Sequence, residues 1–137
     1  MGAQTQVRNP QAQNQGKIPD VYVAEAELDR LTELAAAAAG PGARLLAREL
    51  DRAIIVPEGG RARGFVRLGS LVEYRDLLTG RTRSLTLVEP AQADIDRQRL
   101  SVVSPIGAAL VGLQSGDLFA LTTEDGRPRV LQVMEVR

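Results

Sequence analysis

The carboxylates are the first residues to test for chemistry, because two Asp or Glu side chains brought together can hold Mg²⁺. Asp94 with Asp96, Glu124 with Asp125, and Glu49 with Asp51 are such close pairs. The first two fall in polar stretches that read as loops, where acidic side chains form turns and face solvent far more often than they bind metal. Nucleophilic catalysis fares no better. Ser101, Ser104 and Ser115 would each need a base, but the chain has no His, and its only lysine, Lys17, lies far from any apolar run that could lower its pKa. With no Cys there are neither disulfides nor thiolate metal sites. The stretch Gly107 to Gly112 lacks both the Lys-Ser/Thr pair and the spacing of a phosphate loop. These residue types point to no enzyme, no metal and no cofactor.

Arginine offers more. Every basic residue except Lys17 is Arg, whose rigid fork of donors suits carboxylate or phosphate. Arg44, Arg48 and Arg52 with Arg61, Arg63 and Arg67 could build one basic surface, or simply a solvated face. Lys plus Arg equals Asp plus Glu at 17 each, so no net field draws the chain to nucleic acid or anionic membrane. Two Tyr, two Phe and no Trp supply few stacking platforms. Asp117, after Gly116, reads as a turn-former that accepts backbone N–H groups rather than as an acid.

The elements that position these residues follow from periodicity. Of the 137 residues, 44% are apolar and 25% charged, an ordinary globular balance that fits one compact domain or a small domain with an appendage. Residues 1–20 read as a flexible tail rich in Gln and Asn. No stretch approaches about 18 apolar residues, which predicts no membrane span and a cytoplasmic protein. A helix is expected from Ala24 to about Ala39, with Leu28, Leu31, Leu34 or Ala35 and Ala38 on one stripe. Gly40, Pro41 and Gly42 break it, and a second helix from about Ala43 to Val56 carries Leu46, Leu50, Ala53 and Ile54 on its inner face. Residues 21–58 thus form an antiparallel helical hairpin, whose tip alanines, Ala35 to Ala39, cannot all face inward. A connector spans 59–69.

Beyond it the period changes to two. Val72, Tyr74 and Asp76 alternate with Leu71, Glu73 and Arg75, a turn at Leu78 to Arg81 follows, and Thr82 to Glu89 returns as a strand until Pro90. Ala91 to Arg99 reads as loop, and Leu100, Val102 and Val103 add a short extended piece. Ser104 and Pro105 are an N-cap and first-turn proline for a short helix closed by Gly112. After a turn at Leu113 to Asp117, strands at Leu118 to Thr122 and Arg129 to Val136 flank a reversal at Glu124 to Gly126. The expected class is α+β: a helical hairpin, then residues 70–137 as a curved antiparallel sheet holding one short helix.

The run LSVVSPIGAALVGLQSGD, Leu100 to Asp117, resembles the C-terminal domain of the Gre transcript-cleavage factors, within whose superfamily the Rnk branch, the regulators of nucleoside diphosphate kinase, is most similar. The resemblance continues through Ser70 to Pro90 and through ARELDRA, Ala47 to Ala53, and covers Val21 to Val136. It implies an FKBP-like sheet domain, an N-terminal coiled coil, and docking on RNA polymerase beside its secondary channel. In Gre factors a long coiled coil enters that channel, and acidic tip residues recruit Mg²⁺ for cleavage of backtracked RNA. Here the hairpin is short and the tip, Ala35 to Ala43, has no Asp or Glu. The scarcity of aromatics likewise speaks against a prolyl isomerase pocket.

The resemblance therefore implies a monomeric, non-cleaving polymerase binder that could compete with Gre factors, touching nucleic acid only incidentally. Gln114, Ser115, Gly116 and Asp117, followed by Arg75, Asp76 and Arg81, are the expected contact residues; Ser104, Pro105, Gly107 and Gly112 are the structural motif. The alternatives are an adaptor acting on another partner, such as one controlling nucleoside diphosphate kinase levels, a weak nucleic-acid binder using the Arg surface, a self-associating hairpin, or a metal-dependent nuclease.

Overall fold

A computed structural model describes residues 18–59, 64–123 and 125–137. Lys17, Arg61, Arg63, Glu124 and all but the end of the tail lie outside the described residues. In chain order the elements are β1 (Tyr22–Ala24), α1 (Glu25–Ala37), α2 (Pro41–Asp51), β2 (Ile54–Val56), β3 (Leu71–Asp76), β4 (Thr82–Val88), β5 (Arg99–Ser101), α3 (Pro105–Leu110), β6 (Leu118–Thr122) and β7 (Pro128–Val136). No helix among the described residues is long and apolar enough to cross a membrane.

The hairpin forms as its stripes require, with one correction. Pro41 opens α2 at a first-turn position, where its missing N–H costs nothing. The helix stops at Asp51 rather than running on to Val56. Ile54, Ile55 and Val56 are a β-branched run whose side chains lose χ1 freedom in a helix. They pair instead as β2 in parallel with β1, Tyr22 opposite Ile54 and Ala24 opposite Val56. The two ends of the hairpin are thereby tied to each other.

The sheet has the order β5-β4-β3-β7-β6. It is mixed, not antiparallel throughout as expected: β5 runs parallel to β4, with Leu87 opposite Leu100. Two 3₁₀ turns, Pro90–Gln92 and Ile95–Arg97, carry the chain back across the end of the sheet, so it enters β5 in the direction of β4. Asp94 caps the second turn by accepting from Asp96 N at 3.1 Å, which accounts for that carboxylate pair as turn chemistry. Among the described residues no group of three or more His, Cys, Asp or Glu could hold a metal ion.

Hairpin and sheet share one core. Leu31, Leu34 and Ala35 of α1 and Leu45 and Leu46 of α2 cluster with Val102, Ala108 to Val111 and Leu113, and with Val72, Leu87, Leu131 and Val133 of the sheet. Ala36, Ala37 and Ala39 are exposed, as the count of tip alanines required. Phe65 and Val66, read as connector, are also buried, because Val66 N donates to Leu113 O at 2.9 Å and Gly112 N to Val66 O at 2.8 Å. Two ion pairs add to the junction: Arg30 grips Glu89 through Nη2 at 2.5 Å and Nε at 3.1 Å, and Arg67 meets Glu27 at 3.4 Å. Both are exposed, so apolar burial carries the contact.

Leu46 is fully buried between the two parts. Leu46→Ala is expected to cost about 2–5 kcal/mol and to shift one cooperative urea transition monitored by circular dichroism and tyrosine fluorescence. Early loss of helix with the sheet signal intact would contradict a shared core.

Candidate docking surface

The segment from Ser101 to Asp117 builds itself through local hydrogen bonds. Ser104 Oγ accepts from Gly107 N at 3.1 Å and donates to Ser101 O at 2.6 Å, and Ser101 Oγ accepts from Val103 N at 3.1 Å. These hydroxyls are engaged by the cap of α3, which leaves Ser104 a structural residue, as its place before Pro105 suggested. A Cβ on Gly107 would stand 2.1 Å from Ser101 O.

Two glycines fix where the hairpin lies. Gly112 has φ +83, and a Cβ there would come within 2.4 Å of Val21 Cγ1 and 2.9 Å of Tyr22 O; Tyr22 N donates to Gly112 O at 3.0 Å. At the other end, a Cβ on Gly42 would lie 2.0 Å from Val103 O and 2.7 Å from Pro105 N. The first turn of α2 therefore rests directly on the backbone before α3.

Gln114 to Asp117 form one tight turn. Asp117 Oδ2 accepts from Gln114 N at 2.8 Å, and Asp117 N donates to Gln114 O at 3.0 Å. The turn is pinned to β7 by Gly116 N donating to Val133 O at 2.7 Å and by Ser115 Oγ donating to Met134 O at 2.8 Å. Ser115 and Gly116 are exposed, Gln114 and Asp117 half-buried. Burial pushes the Asp117 carboxyl above its ordinary value; the Gln114 N–H opposes this, and the nearby Asp20 charge adds to it.

Arg75, Asp76 and Arg81 gather elsewhere, at the β3–β4 turn. Asp76 is only 4% exposed. Its Oδ1 accepts from Leu78 N at 2.9 Å and Thr79 N at 3.3 Å, and its Oδ2 pairs with Arg129 at 3.1 Å. Read from sequence as a surface contact, Asp76 instead holds the turn and offers almost no surface. Arg75 and Arg81 are exposed. Of the six arginines read as one basic surface, Arg61 and Arg63 lie outside the described residues. Arg67 lies 5.8 Å over the Phe65 ring and pairs with α1, whereas Arg52 pairs with the buried Glu49 at 2.6 Å on α2.

Sequence reasoning missed a groove. The outer strand β6, Leu118 to Thr122, faces Leu45, Arg48, Glu49 and Arg52 of α2 across a depression of about 620 Å³ floored by Pro41, Pro105, Ile18 and Pro19. A smaller depression of about 300 Å³, lined by Ile18 to Asp20, Tyr22, Gln114, Asp117 and Leu118, adjoins it. Ile18, Pro19 and Leu118 belong to both. The Gln114–Asp117 turn is thus one end of a continuous concave surface whose other end is α2. Only the strand order, which puts β6 at an edge, brings these residues together.

The fold defines a small α+β protein in which a short helical hairpin shares one core with a mixed sheet. Residues 61–137 match the family model described as Transcription elongation factor, GreA/GreB, C-term. The chain is 38% identical over 109 residues to the regulator of nucleoside diphosphate kinase of Escherichia coli strain K12, covering 80% of each chain. It is 40% identical over 80 residues to a transcription inhibitor protein Gfh1 of Thermus thermophilus, covering 57% of this chain and 50% of that one. Among solved structures it is similar to the transcription elongation factor GreA/GreB from Nitrosomonas europaea, with TM-score 0.67 and 29% identity over 86% of this chain and 98% of that one. The chain belongs to the GreA/GreB family, in the superfamily it shares with the regulators of nucleoside diphosphate kinase.

Because the folded-state pKa of Asp117 is raised, the native state holds its proton to higher pH than the unfolded chain does. The contribution of this group is fully present below the unfolded value and is lost as pH rises through the folded one. Asp117→Asn keeps an oxygen to accept from Gln114 N, so its stability should be equal to or above that of the parent at neutral pH, and this part of the pH dependence should vanish from denaturation curves taken across the acid range. A variant less stable than the parent at neutral pH would contradict the burial argument.

Proposed function

We propose that this chain is a transcription regulator that binds RNA polymerase near its secondary channel and does not cleave transcripts, so that it competes with Gre factors for the same site. Family membership supports the partner. The observation that carries the absence of cleavage is the hairpin itself. With α1 of 13 and α2 of 11 residues, it reaches only about 20 Å at 1.5 Å per residue. Its tip has no carboxylate, and its first α2 turn is packed on Val103 to Pro105 instead of projecting. A tip without a metal ligand cannot deliver Mg²⁺ to a backtracked RNA.

Docking is assigned to the concave surface from the Gln114–Asp117 turn along β6, and residues 70–137 act as the FKBP-like docking domain. The protein works as a monomer. A second reading, an adaptor that controls nucleoside diphosphate kinase levels, is favoured by the name of the Escherichia coli relative; an effect through transcription would reconcile the two.

Ser115 and Ala120 are both exposed on that surface. Ser115→Arg and Ala120→Arg should each weaken binding to core polymerase at least about tenfold, roughly 1.4 kcal/mol, with native circular dichroism. Stalled elongation complexes supplied with Mg²⁺ and the parent protein should show no added cleavage. Unchanged affinity in both variants would sink the docking assignment, and robust cleavage would sink the non-catalytic reading.

A further inference from the structure

The face of the sheet that is dry at its centre turns basic at one end. On β3, Val72, Tyr74 and Asp76 point the same way, and Arg83 of β4 stands opposite Tyr74 in the ladder. On β7, Arg129 lies two residues before Leu131, the partner of Asp76, and so shares that face. Arg81 and Thr79 of the β3–β4 turn complete a depression of about 400 Å³ lined by Tyr74, Asp76, Thr79, Arg81, Arg83 and Arg129. Three guanidinium groups meet one carboxylate there. The carboxylate is fully engaged by Leu78 N, Thr79 N and Arg129, and its grip on Arg129 at 3.1 Å fixes that side chain at the depression. Among the described residues Arg81 and Arg83 form no ion pair.

A second observation is independent of the charge count. Tyr74 is only 5% exposed, yet its hydroxyl makes no hydrogen bond with the described residues. Burial raises its pKa, while the charges of Arg83 and Arg129 lower it and that of Asp76 raises it, which places the hydroxyl among these charged groups and keeps it protonated as a donor. A hydroxyl that lines the depression without a partner among the described residues is free to donate to a group bound there.

We propose that this depression is a binding site for a phosphate-type oxyanion, gripped by the guanidinium groups of Arg81, Arg83 and Arg129 and receiving a hydrogen bond from the Tyr74 hydroxyl. Planar guanidinium forks match the spacing of phosphoryl oxygens, and several of them converging favours a polyanion over a monovalent carboxylate. The volume exceeds that of one phosphate, which fits a diphosphate or the phosphate group of a larger molecule. The site is separate from the Gln114–Asp117 surface and acts in the free protein.

The test is a titration of the full chain with inorganic pyrophosphate at low, fixed ionic strength, followed by ¹H–¹⁵N NMR of the arginine Nε–H groups and by calorimetry, with adenosine diphosphate in a parallel arm. Saturable shifts are expected for Arg81, Arg83 and Arg129. Arg83→Gln should weaken binding at least about tenfold, and Tyr74→Phe several-fold. The latter change should leave thermal stability equal to or above the parent, because it removes an unpartnered hydroxyl. Arg127→Gln, outside the depression, should bind as the parent does. Tighter binding of adenosine diphosphate than of pyrophosphate would mark a nucleotide as the source of the phosphate, and equal or weaker binding a free oxyanion. Absence of saturable shifts up to about 10 mM pyrophosphate, or unchanged affinity in both Arg83→Gln and Tyr74→Phe, would overturn the proposal. Polymerase plays no part in the assay, so its outcome is independent of the docking assignment.

Discussion

Everything else in this molecule depends on two places where backbone lies on backbone with no room for a side chain. Gly42 rests on Val103 to Pro105, and Gly112 receives Val21 and Tyr22. Between them the hairpin is held at both its turn and its root. Its apolar stripes, which neither helix could bury alone at this length, are completed by α3 and the sheet in one continuous core. A hairpin held in this way is a lid on the sheet domain, not an arm. That single constraint also makes the groove, because α2 can face β6 only while Gly42 stays against the chain entering α3.

The same economy governs the polar residues. Side chains that looked available for chemistry are used to hold backbone: Ser104 caps α3, Asp94 caps a 3₁₀ turn, Asp76 closes the β3–β4 turn and Asp117 closes its own. Carboxylates that accept N–H groups in this way order loops. Beside these engaged groups lie an exposed turn and a concave surface next to the edge strand β6, a shape that suits an extended or helical segment.

Much of the fold was legible because local rules and global packing agree. The N-cap and proline at Ser104–Pro105, the alternation of Val72, Tyr74 and Asp76, and the turn role of Asp117 all follow from short-range chemistry. The failures share one cause, dependence on residues distant in sequence. Ile54 to Val56 continue a helical stripe, and only the presence of β1 shows that they are a strand. The parallel entry of β5 is decided by two 3₁₀ turns that composition does not announce. Asp76 falls in step with the buried Val72 and Tyr74, and the partner for a carboxylate held there, Arg129, lies on a strand far along the chain. The groove was invisible for the same reason, since no periodicity states which strand ends at an edge. The candidate surface was therefore legible as a turn but not as a groove.

The most direct test of the central claim is equilibrium binding of this protein to core RNA polymerase from its own organism at near-physiological salt, with a Gre factor from that organism titrated as competitor. A non-cleaving regulator at the secondary channel predicts saturable one-to-one binding that the Gre factor displaces completely and that this protein displaces in return. Absence of binding, or binding that a saturating Gre factor leaves untouched, would contradict it.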